Sequence, residues 1–104
     1  MNGAPRLVLE VLSGPLDGAV IALEVDTEWR RGETGPLAFP WDLELGEPQA
    51  RFVANQGNWC LEAAGGTHGT YRLNHQERVD GRVILEEGDI IKASRSWLVV
   101  QRVG

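Results

Sequence analysis

The chain has little positive charge, a single cysteine and no long apolar run. Ten Lys and Arg residues stand against fifteen Asp and Glu residues, so the formal net charge is −5. Binding to a nucleic-acid backbone or an anionic membrane surface needs clustered positive charge, and we therefore expect neither partner. Cys60 is the only cysteine, which excludes an intrachain disulfide and favours a reducing compartment. No apolar run approaches the roughly 18 residues of a membrane span. These absences predict a cytoplasmic protein without membrane insertion.

The sequence also has no long stretch that predicts a helix, because thirteen glycines and five prolines are spread along almost the whole chain. Apolar residues alternate instead in Leu7–Val11 and Ala19–Leu23, which predicts strands. Ala50–Asn55 and Asn58–Ala63 flank Gln56-Gly57, which predicts a hairpin. Short strands between closely spaced turn signals predict an all-β antiparallel sandwich. The 104 residues fit one domain, residues 1–104, and would also fit the N-terminal part of a longer protein.

Residues that could carry catalysis or hold a metal are sparse. His68 and His75 are seven residues apart, with no carboxylate or second cysteine at ligand spacing, so we predict no metal and no cofactor. Cys60 lies in an alternating pattern and is interpreted as a strand residue. Paired carboxylates next to turns are interpreted as solvated: Asp42 with Glu44, and Glu86 with Glu87. An acid, a base and a nucleophile cannot be assembled from these residues, which predicts that the protein is not an enzyme.

The stretch GGTHGTYRLN, from Gly65 to Asn74, is rich in loop-forming residues. A phosphate-binding P-loop needs a lysine after its glycines and a helix whose N-terminus faces the phosphate. Neither follows Thr70, because the chain continues as TYRLN. Taken alone, the stretch is interpreted as a glycine-rich turn.

Five segments, in order and spacing, resemble the forkhead-associated (FHA) domain family. They are LEVLSGPLDGAVIAL from Leu9, WRRGETGPLAF from Trp29, GEPQARFV from Gly46, WCLEAAGGTHGT from Trp59 and LEEGDII from Leu85. The last matches the family pattern L-x-x-G-D-x-I in full, and Leu37 and Phe39 stand where the family has an apolar strand. The resemblance covers about 95 residues. It implies an FHA-like antiparallel β-sandwich of about eleven short strands, whose loops at one end bind a phosphothreonine peptide.

The resemblance also implies binding positions, and this sequence departs from the family at several of them. Arg31 takes the place of the phosphate-binding arginine, whereas Arg30 replaces the glycine before it. Gly46 stands in the serine slot, Glu47 adds a carboxylate beside it, and Gln49 replaces a histidine that braces the loop. The candidate phosphopeptide or partner-binding residues are Arg30, Arg31, Gly46, Glu47, Thr67, His68 and Asn74.

Energies indicate what these departures cost. A lost hydrogen bond to a charged group removes about 1.5–3 kcal/mol. A carboxylate about 4 Å from one unit of phosphate charge costs about 4 kcal/mol at an effective dielectric constant of 20. A micromolar complex is worth only about 8 kcal/mol.

We therefore predict a non-catalytic FHA-like protein–protein interaction module with weakened or lost phosphothreonine binding, which acts as a scaffold, assembly or regulatory domain. The alternative is a functional phosphothreonine reader that uses Arg31, Thr67 and His68. A sugar-binding sandwich would instead expose tryptophans, for which Trp29 and Trp41, near loops, are the candidates. The oligomeric state is not predicted.

Overall fold

Ten short strands make up most of the computed structural model, which describes residues 6–64 and 69–104. They are β1 Leu7–Val11, β2 Val20–Leu23, β3 Thr27–Trp29, β4 Ala50–Asn55, β5 Asn58–Ala63, β6 Thr70–Arg72, β7 Glu77–Arg78, β8 Arg82–Ile84, β9 Ile90–Ala93 and β10 Ser96–Val103. Two single turns of 3-10 helix, Gly14–Leu16 and Leu73–His75, are the helical segments of the described ranges. Neither is long and apolar enough to cross a membrane.

The strands form two sheets, and neighbouring strands pair antiparallel throughout both. The six-stranded sheet has the order β2-β1-β10-β9-β6-β7, and the four-stranded sheet has the order β3-β4-β5-β8. This confirms the predicted all-β antiparallel sandwich, with ten strands in the described ranges where about eleven were expected. One expected element is wrong in detail: instead of a strand at Leu37–Phe39, the structure has a single parallel bridge between Arg30 and Ala38. Leu37 and Phe39 are nevertheless fully buried.

The β4–β5 hairpin lies where the sequence predicts it. Asn55 pairs with Asn58, and the register continues without a shift to Ala50 opposite Ala63. The two turn residues, Gln56 and Gly57, have φ values of 52° and 86°. Two consecutive positive φ angles are typical of a type I′ turn, whose twist matches that of the flanking strands. The local sequence alone therefore determines this hairpin.

The core lies between the two sheets and takes side chains from both. Leu7, Leu9 and Val11 of β1 alternate with partly exposed residues, as expected for a strand with one buried face. The largest fully buried side chains are those of Trp29, Trp59, Phe39 and Phe52. Trp29 and Trp41, the candidates for exposed tryptophans in a sugar-binding sandwich, both pack inwards. The exposed fraction of Trp29 is 0%. Trp41 is half-buried and stacks on Phe39, with ring centroids 4.7 Å apart.

Several connections meet at one end of the sandwich, which we call the loop end. It comprises the β3–β4 connection (residues 30–49), the segment 79–81 and the β9–β10 turn at Ser94-Arg95. Thr70, the first residue of β6, pairs with Ala93 beside that turn. The opposite end of β9 carries Asp89 and the 3-10 turn that contains Asn74. The candidate binding residues are therefore divided between two ends of the molecule.

Candidate functional site

The buried amide of Gln49 ties two loops of the loop end together. Its Oε1 accepts a hydrogen bond from the backbone N–H of Gly46 at 2.7 Å, and its Nε2 donates to Thr70 Oγ1 at 2.9 Å. The exposed fractions of Gln49 and Thr70 are only 1% and 2%. Buried polar groups need such partners, so this pair holds the β3–β4 connection against the start of β6. Gln49 thus braces the loop at the position where the resemblance implies a histidine.

Arg30 is occupied by an acidic neighbour of its own chain. Its Nε donates to Glu47 Oε1 at 2.6 Å, and its Nη1 donates to the carbonyl oxygen of Thr34 at 3.3 Å. The hydrogen bond that Arg30 donates to Glu47, and then the charge of that carboxylate, raise the pKa of the Arg30 guanidinium. A Cβ at Gly32 would lie 2.9 Å from Arg30 Cζ, so the absence of a side chain there lets the guanidinium lie along the loop. An external anion would have to compete with Glu47 for this group.

Arg31 lies beside this ion pair but makes none itself. Its Nη1 donates to the carbonyl oxygen of Leu43 at 3.0 Å, and its backbone N–H donates to the carbonyl oxygen of Gly46 at 3.2 Å. The side chain is exposed, and no carboxylate of the described residues lies within ion-pair distance of it. Of the two adjacent arginines, Arg31 is therefore the one whose guanidinium is open to an external anion.

Gly46 offers no side-chain donor, and the space around it is tight. A Cβ at this position would lie 3.0 Å from Gln49 Oε1 and 3.0 Å from the carbonyl oxygen of Pro48. Such contacts are shorter than ordinary van der Waals separation, so a serine here would require a small shift of the loop. Glu47, the next residue, turns its carboxylate to Arg30. Gly46 and Glu47 thus present backbone groups and a negative charge to a ligand, but no hydroxyl donor.

Asp42 corrects the interpretation of the acidic pairs, because it is buried and not solvated. Its exposed fraction is 3%, whereas Glu44 is exposed. The carboxylate accepts hydrogen bonds from Ser94 Oγ at 2.7 Å, Ser96 Oγ at 2.7 Å and the backbone N–H of Arg95 at 3.1 Å. It also accepts one from the backbone N–H of Glu44 at 3.3 Å.

Two opposing effects act on the protonation of Asp42. Burial raises the pKa of the carboxyl group, but the hydrogen bonds from Ser96, Ser94 and the two backbone amides outweigh burial and lower it overall. The ionised group therefore joins the β3–β4 connection to the β9–β10 turn. Sequence reasoning missed this role, because the donating serines lie 52 and 54 residues further along the chain.

Arg78 and Gly69 are in close contact next to the Gln49–Thr70 bridge. A Cβ at Gly69 would lie only 2.6 Å from Arg78 Nε, so any other residue there would displace this guanidinium. Arg78 is exposed and lines a surface depression together with Ala63, Val79, Asp80 and Gly81. Thr67 and His68, two of the candidate binding residues, lie outside the described residues.

Asn74 is placed away from the loop end by hydrogen bonds to the β8–β9 turn. Its Oδ1 accepts from the backbone N–H of Ile90 at 3.0 Å, and its Nδ2 donates to Asp89 Oδ1 at 3.2 Å. Both polar atoms of the amide are thus engaged at the opposite end of β9 from Ser94. The fold does not bring Asn74 together with Arg31.

Asp89 is the centre of a second buried carboxylate network. Its exposed fraction is 1%, and it lies 3.4 Å from Arg72 Nη1 and 3.1 Å from His75 Nε2. His75, Glu86 and Asp89 come within 4.8 Å of one another, a grouping that their spacing in the sequence did not predict. Asp89 already accepts from Arg72, from Asn74 and from the backbone N–H of Glu86. These partners make it a structural carboxylate that holds the β8–β9 turn.

Comparison with known proteins shows similarity in structure but not in sequence. No protein-family model matches the chain, and no curated protein matches it significantly. The FHA domain of an Arabidopsis thaliana hypothetical protein superposes with a TM-score of 0.84 at 23% identity, covering 100% of this chain and 92% of that one. An FHA domain solved in a study of phosphothreonine-dependent interactions has a TM-score of 0.78 at 20% identity, over 93% and 96% of the two chains.

A third solved structure is the FhaA FHA domain in complex with the intracellular domain of a second protein. Its TM-score is 0.76 at 21% identity, and the match covers 91% of this chain and 99% of that one. At identities this low, the superpositions establish the fold alone. The binding chemistry has to be argued from the residues of this chain. With its two antiparallel sheets and these superpositions, the chain is an FHA-like domain by fold.

Proposed function

We propose that the chain is a non-catalytic FHA-like protein–protein interaction module in which phosphothreonine binding is weakened or lost. It would act as a scaffold, assembly or regulatory domain in the cytoplasm, with residues 1–104 as a single domain. The observation that carries this proposal is the 2.6 Å ion pair between Arg30 and Glu47. An FHA domain structure studied for phosphothreonine-dependent interactions and another bound to a protein domain support the interaction role.

The site chemistry favours weak phosphate binding for two independent reasons. Glu47 brings a negative charge to the loop and already engages the Arg30 guanidinium, so a phosphate dianion would meet repulsion where it needs a donor. Gly46 lacks a hydroxyl, which removes one charge-assisted hydrogen bond of the kind that phosphate oxygens accept. Because the ion pair is partly exposed, with 35% and 41% of the two side chains accessible, solvent screens some of this effect.

A second candidate function is a working phosphothreonine reader that uses Arg31, Thr67 and His68. The exposed Arg31 guanidinium supports it, because this group bonds only a backbone carbonyl and has no carboxylate partner within the described ranges. Arginine suits a phosphate group well, since its planar donors can form two parallel hydrogen bonds.

Calorimetric titration with a degenerate phosphothreonine peptide library and its unphosphorylated twin separates the two functions. We expect no phosphate-dependent binding in the micromolar range for the unaltered protein. Micromolar binding to the phosphorylated library alone would contradict the proposal and support the reader. In that case Arg31→Ala should abolish binding, because it removes the one open guanidinium of the Arg30-Arg31 pair.

Replacing Glu47 tests whether its carboxylate is the cause of the loss. Glu47→Gln should free the Arg30 guanidinium and strengthen binding to the phosphorylated library by about tenfold, as expected when a charged hydrogen bond is regained. Combining Glu47→Ser with Gly46→Ser should strengthen it further if the loop adjusts to the added Cβ. Glu24→Gln is the matched control, because it breaks the exposed ion pair with Arg6 at the other end of the sandwich. No gain from Glu47→Gln, or an equal gain from Glu24→Gln, would refute this explanation.

A further inference from the structure

The arginines of this acidic chain divide into two groups by their partners. Five of them form ion pairs with carboxylates: Arg6, Arg30, Arg51, Arg72 and Arg82. All fifteen acidic residues lie within the described ranges, yet none of them pairs with the other four arginines: Arg31, Arg78, Arg95 and Arg102. Acidic residues outnumber basic ones by five in this sequence. A shortage of carboxylates therefore does not explain why these four arginines form no ion pair.

Three of these four arginines lie at the loop end. Arg31 contacts the carbonyl oxygen of Leu43, and Arg95 lines a depression with Trp41, Leu43 and Glu44. Arg78 lies over Gly69, whose neighbour Thr70 pairs with Ala93, two residues before Arg95. The fourth, Arg102, is on β10 near Val8 and Val20, away from this end.

Between Arg31 and Arg95 the surface carries an exposed leucine. The exposed fraction of Leu43 is 74%, which is the largest among the exposed large apolar side chains of the described residues. The neighbouring Asp42 accepts four hydrogen bonds, so the backbone that presents Leu43 is held in place before any partner arrives. Arginine is enriched at protein interfaces, and the buried core of an interface is more apolar than its rim, so an exposed leucine on a fixed backbone beside two arginines suits the contact surface of a partner.

We propose that the loop end docks an acidic segment of a partner protein, whose carboxylates bind Arg31, Arg78 and Arg95 while an apolar side chain packs on Leu43. The inference rests on the proposed interaction function and specifies the chemistry of the partner. Two acidic residues lie in the same region, Glu44 beside Arg95 and Asp80 beside Arg78. They limit how many carboxylates the surface accepts and therefore favour a spaced acidic pattern. An extended nine-residue segment spans roughly 30 Å, which exceeds the two shorter extents of the molecule, 26 and 20 Å.

The test uses three fluorescein-labelled nine-residue peptides and fluorescence anisotropy at low and high salt. The first peptide alternates glutamate and glycine around a central leucine, the second replaces each glutamate by glutamine, and the third is uncharged apart from one phosphothreonine. We expect the glutamate peptide to bind and the glutamine peptide not to bind. Salt should weaken this binding, because it screens exposed charges.

Single substitutions then assign the binding to Arg78, Arg95 and Leu43. Arg95→Ala and Arg78→Ala should each weaken binding of the glutamate peptide by about threefold to fivefold, the upper part of the range expected for an exposed ion pair. Leu43→Ser should weaken it as well, and Arg102→Ala, the matched control, should leave it unchanged. The melting temperature of each variant is measured in parallel to confirm that it remains folded.

The outcomes distinguish this inference from the proposed function. Equal effects of Arg95→Ala and Arg102→Ala, or no binding of the glutamate peptide, would overturn the docking surface while leaving the interaction module to be tested with other peptides. Binding of the phosphothreonine peptide alone would overturn both, because it would identify a phosphate reader.

Discussion

Replacing Trp59 with alanine should lower the free energy of unfolding by about 3–5 kcal/mol, one of the largest effects expected in this chain. The side chain has an exposed fraction of 0% and belongs to the core between the sheets. Its backbone carbonyl also accepts the N–H of Leu85 at 2.8 Å, so the residue lies where β5 meets the segment after β8. Alanine would leave a cavity that rigid sheets on both sides cannot close. Urea unfolding followed by far-ultraviolet circular dichroism measures this loss, and an unchanged midpoint would refute the core placement.

A conservative substitution at the same position separates ring packing from the polar group of the indole. The Nε1 of Trp59 is buried and has no hydrogen-bond partner among the described residues. Trp59→Phe removes that N–H and keeps most of the packing, so it should cost clearly less than Trp59→Ala, about 1–2 kcal/mol. Trp97→Phe, at a half-buried position on β10, is a suitable control and should cost little. Equal losses for Phe and Ala at position 59 would contradict the packing explanation.

Replacing Asp42 with alanine should cost about 3 kcal/mol, because it leaves buried donors without an acceptor. Ser96 is 2% exposed, and its hydroxyl and that of Ser94 both donate to this carboxylate. For a domain of this size, such a loss corresponds to a decrease in melting temperature of roughly 15 °C. Asp17→Ala, which removes an exposed carboxylate, should change the melting temperature by no more than a degree or two. A similar small change for Asp42→Ala would contradict the network.

The same carboxylate makes stability depend on pH in a defined direction. Because the pKa of Asp42 is lower in the folded than in the unfolded state, its contribution is fully present above the ordinary value of 3.8. The contribution is lost as the pH falls from that value through the lower pKa of the folded state. The difference in unfolding free energy between the unaltered protein and Asp42→Asn should therefore shrink below about pH 3.8. Urea titrations between neutral and acidic pH measure it, and a difference that grows on acidification would contradict this assignment.

Turns, and the strands that directly flank them, could be predicted from the local sequence. The pair Gln56-Gly57 needs two positive φ angles, and apolar and β-branched residues on either side complete the hairpin. The turn at Glu87-Gly88 has one such position, which its glycine occupies with a φ of 91°. Trp59 and Leu61 alternate along one strand and face the core, as a period of two residues requires.

Sequence reasoning was less successful where a side chain meets partners far along the chain. Trp29 lies at the end of β3 beside a loop, and nothing local shows that Phe39 and Phe52 enclose it. Asp42 follows an apolar stretch and precedes a turn, which usually means solvent exposure, yet two serines more than fifty residues away surround it. Asn74 ends the glycine-rich stretch of the sequence but bonds the β8–β9 turn at the other end of β9 from Ser94.

The sequence by itself determined the all-β class and the main hairpin, because alternation and turn residues act over a few neighbours. Five ordered segments carried the resemblance that implied an FHA-like sandwich. Only the tertiary structure decided which charges are paired. It joined Arg30 to Glu47 across 17 residues and left Arg31 open beside it. Ion pairs and buried carboxylates depend on distances between segments that meet only after folding, and no local pattern encodes those distances. The proposed binding properties of this domain rest on those pairings.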